Sequence, residues 1–155
     1  MISNAIVSLV LIATTLTSTA YGFCLPPPGW HAKSLVERIE LDEVNLAIVA
    51  YVDAVYPGPH GARGPYTADL SVMCVYKDTN GAGSELPLLL KGVEGFGGSW
   101  DCATTKVEEG RQYIMLLHRE GDGLKVAEVN NQEGAEEALP SRVLKVEEKY
   151  SCIEM

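Results

Sequence analysis

The chain has 155 residues, a length that suits one domain with a real core rather than a disulfide-held miniature. Its 21 acidic and 12 basic residues give a formal net charge of −9. That balance argues against nucleic-acid binding and against attraction to anionic membranes, and it leaves basic partners open.

Met1 to Gly22 carries no charged side chain, and Ala5 to Ala13 (AIVSLVLIA) is a short apolar run followed by small and polar residues. That is the layout of a secretory signal peptide. The run is too short to cross a bilayer, which takes about 20 apolar residues. Cleavage fits after Ala20 or after Gly22, so residues 1–22 are assigned to the signal peptide and 23–155 to one secreted, extracellular domain. A buried N-terminal helix is the alternative, and nothing amphipathic supports it. Four cysteines follow: Cys24, Cys74, Cys102 and Cys152. An even number in an exported chain reads as two disulfides, with three pairings open. No CxxC spacing or Cys/His cluster points to zinc, there is no N-glycosylation sequon, and no metal or cofactor is expected.

Pro26-Pro27-Pro28 is an extended lead-in, because consecutive prolines cannot donate to a helix or a central strand. Ala32 to Ile39 suits a short helix. Val44 to Tyr56, rich in β-branched and aromatic residues, suits a long first strand. Pro57 to Pro65 (PGPHGARGP) is an exposed loop of turn residues. Tyr66 to Tyr76 alternates with period two, which predicts a half-buried strand with Cys74 on its inward face. A third strand is predicted over Leu86 to Val93, followed by a flexible glycine-rich stretch up to Gly98. Trp100 is read as a cover over the neighbouring cysteine. Gln112 to His118 is the fourth strand. Glu120-Gly121-Asp122-Gly123 is a hairpin turn, and Leu124 to Val129 is the fifth strand. Pro140 suits a first helical turn, and Ser141 to Ile153 reads as a terminal helix. Five short strands in a secreted domain suggest a small barrel or sandwich.

Signals for catalysis are poor. His31, His60 and His118 lie far apart in the chain, and none accompanies a nucleophile motif. Gly95-Phe96-Gly97-Gly98 lacks the lysine and the strand-to-helix setting of a phosphate loop. The chain therefore reads as non-enzymatic.

The order of features resembles a known family. One Cys lies near the mature N-terminus, and a second sits mid-strand in Leu70-Ser71-Val72-Met73-Cys74-Val75-Tyr76-Lys77. A third follows Gly95-Phe96-Gly97-Gly98-Ser99-Trp100-Asp101, an apolar strand comes after Gly110, and a fourth follows Val146-Glu147-Glu148-Lys149-Tyr150-Ser151. From Cys24 to Cys152 this resembles the N-terminal laminin-binding domain of agrin. It is also similar, more distantly, to netrin-type modules and to the tissue inhibitors of metalloproteinases. The resemblance implies a mainly β fold: a five-stranded OB-like barrel with flanking helices, one of them C-terminal. It also implies the pairs Cys24–Cys102 and Cys74–Cys152.

Two functions follow from the resemblance. The agrin-like one is binding of an extracellular-matrix protein, a laminin-type coiled coil above all, through the C-terminal helix. At about 100° per residue, Val143, Val146, Tyr150 and Ile153 share one side of that helix, and Cys152 falls roughly opposite. If Cys152 turns inward to reach Cys74, the stripe faces partly outward, and Val143, Val146, Lys149 and Tyr150 become the candidate partner contacts. The competing placement packs the stripe on the barrel. The inhibitor-like function is metalloprotease inhibition through the Cys24 segment. It needs Cys24 as the first mature residue, whereas Phe23 stands before it and no Cys-x-Cys start is present. A carrier using the barrel interior is the third reading, and the large alternating side chains would fill so small a barrel.

Overall fold

The computed structural model describes residues 25–81, 85–98 and 103–155. The signal peptide, Cys24, Trp100, Cys102 and the Cys24–Cys102 pair lie outside the described residues. The elements in chain order are α1 (Leu35–Ile39), β1 (Leu46–Gly58), β2 (Gly61–Asp78), β3 (Leu89–Phe96), β4 (Gln112–Glu120), β5 (Gly123–Val126), β6 (Ala135–Glu137), α2 (Pro140–Glu147) and β7 (Ile153–Glu154).

The barrel follows from how these strands pair. β1 pairs with β2, β2 with β3, β3 with β5 and β5 with β4, and β4 returns to β1 to close the ring. Among the described residues only the β3–β5 pairing, at Glu94 and Lys125, is parallel. This is the mainly β, five-stranded OB-like barrel with a C-terminal helix that the resemblance implies. Closure needs strands that bend, and β-bulges supply the bends. In β3 the register against β2 shifts twice. Gly95 there has φ +90°, and a side chain on it would meet Lys125 Cγ at 2.8 Å, so only glycine lets β3 approach β5. The stretch expected to be merely flexible is thus part of the closure, and β3 runs to Phe96 instead of stopping at Val93.

β1 from Leu46 to Ala50 and β4 from Tyr113 to Leu117 are buried on both faces, which is why these stretches read as nearly continuous apolar runs. Leu46, Ile48, Ala50 and Val52 of β1 and Tyr113, Met115 and Leu117 of β4 point into the barrel. Ala47 and Val49, with Ile114 and Leu116, point out into a second core, covered by Leu35 and Ile39 of α1 and Val146 of α2. The expected alternation of β2 changes at Met73, where the register slips between Val49↔Cys74 and Ala50↔Val72. The extra residue turns Cys74 and Tyr76 into the second core while Val75 takes the barrel side. Cys74 is therefore buried, but outside the barrel.

The two helices are shorter than expected. α1 begins at Leu35 because Ser34 caps it: the Glu37 N–H donates to Ser34 Oγ (3.3 Å), and the Glu37 carboxylate accepts from the Ser34 N–H (2.7 Å). α2 starts with Pro140 in its first turn, as expected, but ends at Glu147 rather than Ile153. Residues 148–150 turn, with the Lys149 and Tyr150 N–H groups donating back to the Val146 carbonyl, and the chain is then extended where Ile153 and Glu154 pair with Val75 and Cys74 of β2. Cys152 lies in this extended tail and is bonded to Cys74, with 5.4 Å between their Cα atoms. It is not a residue of the helix, so its direction says nothing about which way the helix stripe faces. β6, which lengthens the edge of β4 beyond β5, and β7 are too short to leave a periodic signal.

Tyr76 gives the second core a pH dependence. Burial first, then the charge of Glu147 and the hydrogen bond to its Oε1 (3.4 Å), push the phenol from 10.0 up to about 12. A folded-state value above the unfolded one leaves stability intact below the unfolded value and removes it as pH rises toward the folded one. Stability is expected to fall from about pH 10 to about pH 12, by roughly 3 kcal/mol at most. Denaturant titrations of the wild type and Tyr76→Phe across this range check it: the variant should lose distinctly less. Equal losses would show that Tyr76 is not the group responsible.

Candidate functional site

Among the described residues, large side chains pack the barrel interior. Phe96, Leu46, Ile48, Leu70, Met115 and Leu117 are all fully buried there and fill it. Among the described residues no group of three or more His, Cys, Asp or Glu side chains could hold a metal ion. His31 lies in the N-terminal lead-in, His60 at the β1–β2 turn and His118 on β4, so the three sit on different elements. Among the described residues no helix is long and apolar enough to cross a membrane.

A cleft with apolar walls lies at the tip of the β1–β2 hairpin. The sequence there is nearly symmetric: Tyr56-Pro57-Gly58-Pro59 on the way out and Gly64-Pro65-Tyr66 on the way back. What reads as a loop is largely strand, with β1 reaching Gly58 and β2 beginning at Gly61. The register sets Pro57 opposite Tyr66 and Tyr56 opposite Thr67. Gly58 packs so closely on the Pro65 carbonyl that a side chain there would overlap it. The result is a cleft of about 450 Å³ walled by Tyr56, Pro57, Pro59, Pro65 and Tyr66, with Glu94, Lys125 and Glu128 across from them.

Both tyrosine hydroxyls are used within the protein. Tyr56 donates to Asp69 Oδ2 (3.1 Å), and that bond holds its phenol above the ordinary value. Tyr66 donates to the Val107 carbonyl (3.2 Å) and accepts from the Val107 N–H (2.8 Å), while burial pushes its phenol up. Its ring stacks on Phe96, 5.7 Å between centroids, which fixes it as the floor. With the hydroxyls engaged, the cleft is lined by ring faces and pyrrolidine carbons. Tyr56 is half-exposed. The charged side is acidic on balance: Lys125 lies 3.6 Å from Glu120, Glu128 accepts from the Thr105 N–H (2.7 Å), and Glu94 has no ion-pair partner among the described residues.

The residues expected to contact a partner from the C-terminal helix are placed differently. Val146 is 1 % exposed and belongs to the second core, so it cannot be a surface contact. Val143 and Tyr150 are half-buried against that same core. Lys149 is exposed and pairs with Glu40. The stripe thus packs inward, and the outward side of α2 shows Leu144 instead. The hairpin cleft was missed because its walls come from three separate stretches that only the register unites. The one signal available was the Tyr56-Pro57 step and its reverse, Pro65-Tyr66, flanking the turn.

No protein-family model matches this sequence, and no characterised protein matches it either.

Proposed function

We propose that this chain is a secreted, non-enzymatic binding module, of the agrin N-terminal and netrin kind, for an extracellular-matrix protein. The hairpin cleft is its contact surface, and the observation that carries the reading is the contrast between a filled barrel and an apolar, pre-shaped cleft outside it. Such clefts accept an apolar side chain of a partner, and half-exposed tyrosine is a favoured residue at the centre of interfaces. The carboxylates facing the ring wall, in a chain of net charge −9, favour a partner segment that carries a basic residue beside its apolar one. A laminin-type coiled coil is the first partner to try, because the resemblance implies it.

Capture from a laminin-containing matrix preparation tests this, with the purified secreted protein as bait. Tyr56→Ala and Glu94→Lys should each weaken capture about tenfold or more, the equivalent of ~1.4 kcal/mol, with the melting curve unchanged. Leu144→Asp, on the outward side of α2, should leave capture intact. Loss on Leu144→Asp alone would move the contact to the helix. No capture by the folded wild-type protein would reject the matrix-module reading.

A further inference from the structure

We propose that the cleft between α1 and α2 is an anion site, shaped for a tetrahedral oxyanion such as a sulfate or phosphate ester. This goes beyond the hairpin cleft and does not depend on it. The cleft holds about 260 Å³, and Lys33, Arg38, Arg142 and Lys145 line it against one carboxylate, Glu136. Four of the chain's twelve basic side chains thus converge on one small concavity in a protein of net charge −9. Charge this far out of keeping with the rest of the molecule costs self-repulsion, which an anionic ligand would relieve.

The single carboxylate acts as a brace rather than a neutraliser. Glu136 Oε1 pairs with Arg38 Nη2, and its Oε2 pairs with Arg142 Nε at 2.8 Å. One β6 side chain therefore fixes guanidinium groups from both helices, and Arg38 is further held through Nη1 on the Glu133 carbonyl (2.6 Å). Arg142 is about one-third exposed, and with its Nε on Glu136 and its Nη1 donating to the Glu137 carbonyl, its Nη2 is the N–H group left for a ligand. Lys33 and Lys145 form no ion pair among the described residues, which leaves both ammonium groups to a ligand. Glu37, on the same turn as Lys33, is engaged with Ser34.

A second observation points the same way. Arg38 is 2 % exposed, lines the cleft, and its Nε has no hydrogen-bond partner. Buried polar groups are almost always satisfied, so this orphaned N–H leaves a buried guanidinium incompletely compensated directly behind a basic cleft. The roles divide accordingly. Lys33, Lys145 and Arg142 make the outer contacts, while Arg38 stands behind them, holding Glu136 and adding a fixed positive charge.

The test uses the full secreted protein in low-salt buffer, followed by amide and side-chain NMR shifts. The probes are inorganic sulfate, inorganic phosphate and a sulfated disaccharide. At least one probe should saturate, moving the Arg142 and Lys33 signals together. In Lys33→Ala/Lys145→Ala the affinity should fall at least tenfold, while Lys91→Ala, an exposed lysine elsewhere, should leave it unchanged. Neither lysine side chain has a hydrogen-bond or ion-pair partner among the described residues, so the double variant should fold normally, and its amide spectrum checks that. A sulfated disaccharide bound more tightly than inorganic sulfate identifies a sulfated glycan as the source. Tighter binding of inorganic phosphate identifies a free or small phosphate. Either result supports the site. No saturable shift with any probe, or undiminished binding by the folded double variant, overturns it.

Discussion

Val146→Asp is expected to cost about 3–5 kcal/mol, because it places an unpaired carboxylate in the second core. Val146 is 1 % exposed and packs with Ala47, Val49, Ile114 and Leu116, all apolar. The aspartate would have to stay charged without a partner, be protonated, or pry α2 off the barrel. For a domain of this size the melting temperature should drop by roughly 15 °C. Leu144→Asp, two residues earlier and 64 % exposed, should stay within about 0.5 kcal/mol of the wild type. Thermal melts of the two variants side by side decide the matter. A well-folded Val146→Asp chain would mean that the helix stripe faces solvent, and the C-terminal helix would again be a candidate contact surface.

That pair of residues also shows where sequence reading stops. Helical spacing locates the stripe of Val143, Val146 and Tyr150, but spacing alone cannot say which side of a helix meets the barrel. The inference from Cys152 failed because the chain leaves the helix after Glu147, and the pull of a two-residue strand pairing leaves no local signal. Strand content was readable because β1, β2 and β4 are rich in β-branched and aromatic residues; five strands left barrel and sandwich both open, and the barrel came from the family resemblance. The outward-facing core was not readable. A strand buried on both faces looks the same in sequence whether its second face meets a helix or another sheet. The bulge at Met73 was hidden for a related reason: Val72, Cys74, Val75 and Tyr76 are all apolar enough for either side. The hairpin cleft and the basic cleft share one obstacle. Lys33 and Lys145 are far apart in the chain, as are Tyr56 and Glu94, and only the β1–β2 register and the packing of α1 on α2 bring them together.

Replacing both Cys74 and Cys152 by alanine is expected to cost ~4 kcal/mol in the chain-entropy account, because their bridge closes a loop with a sequence separation of 78. The loop encloses β3, β4, β5, β6 and α2, so without the bridge the unfolded chain regains freedom over most of the barrel. A local effect adds to this global one. After Glu147 the tail is anchored by Tyr150 against the second core, by the bond at Cys152 and by the two-residue pairing of β7 with β2. Such short edge pairings are weak alone, so the tail should fray once the bond is gone. Urea unfolding of the double variant measures the first effect, and amide exchange over residues 148–155 measures the second. Exchange there should rise well before the barrel amides are affected, since β1 from Leu46 to Ala50 and β4 from Tyr113 to Leu117 stay buried on both faces. A loss under about 1 kcal/mol would show that the unfolded chain is already compact enough for the bridge to add little. Exchange in the tail rising no faster than in β4 would show that α2, β7 and the barrel open as one unit.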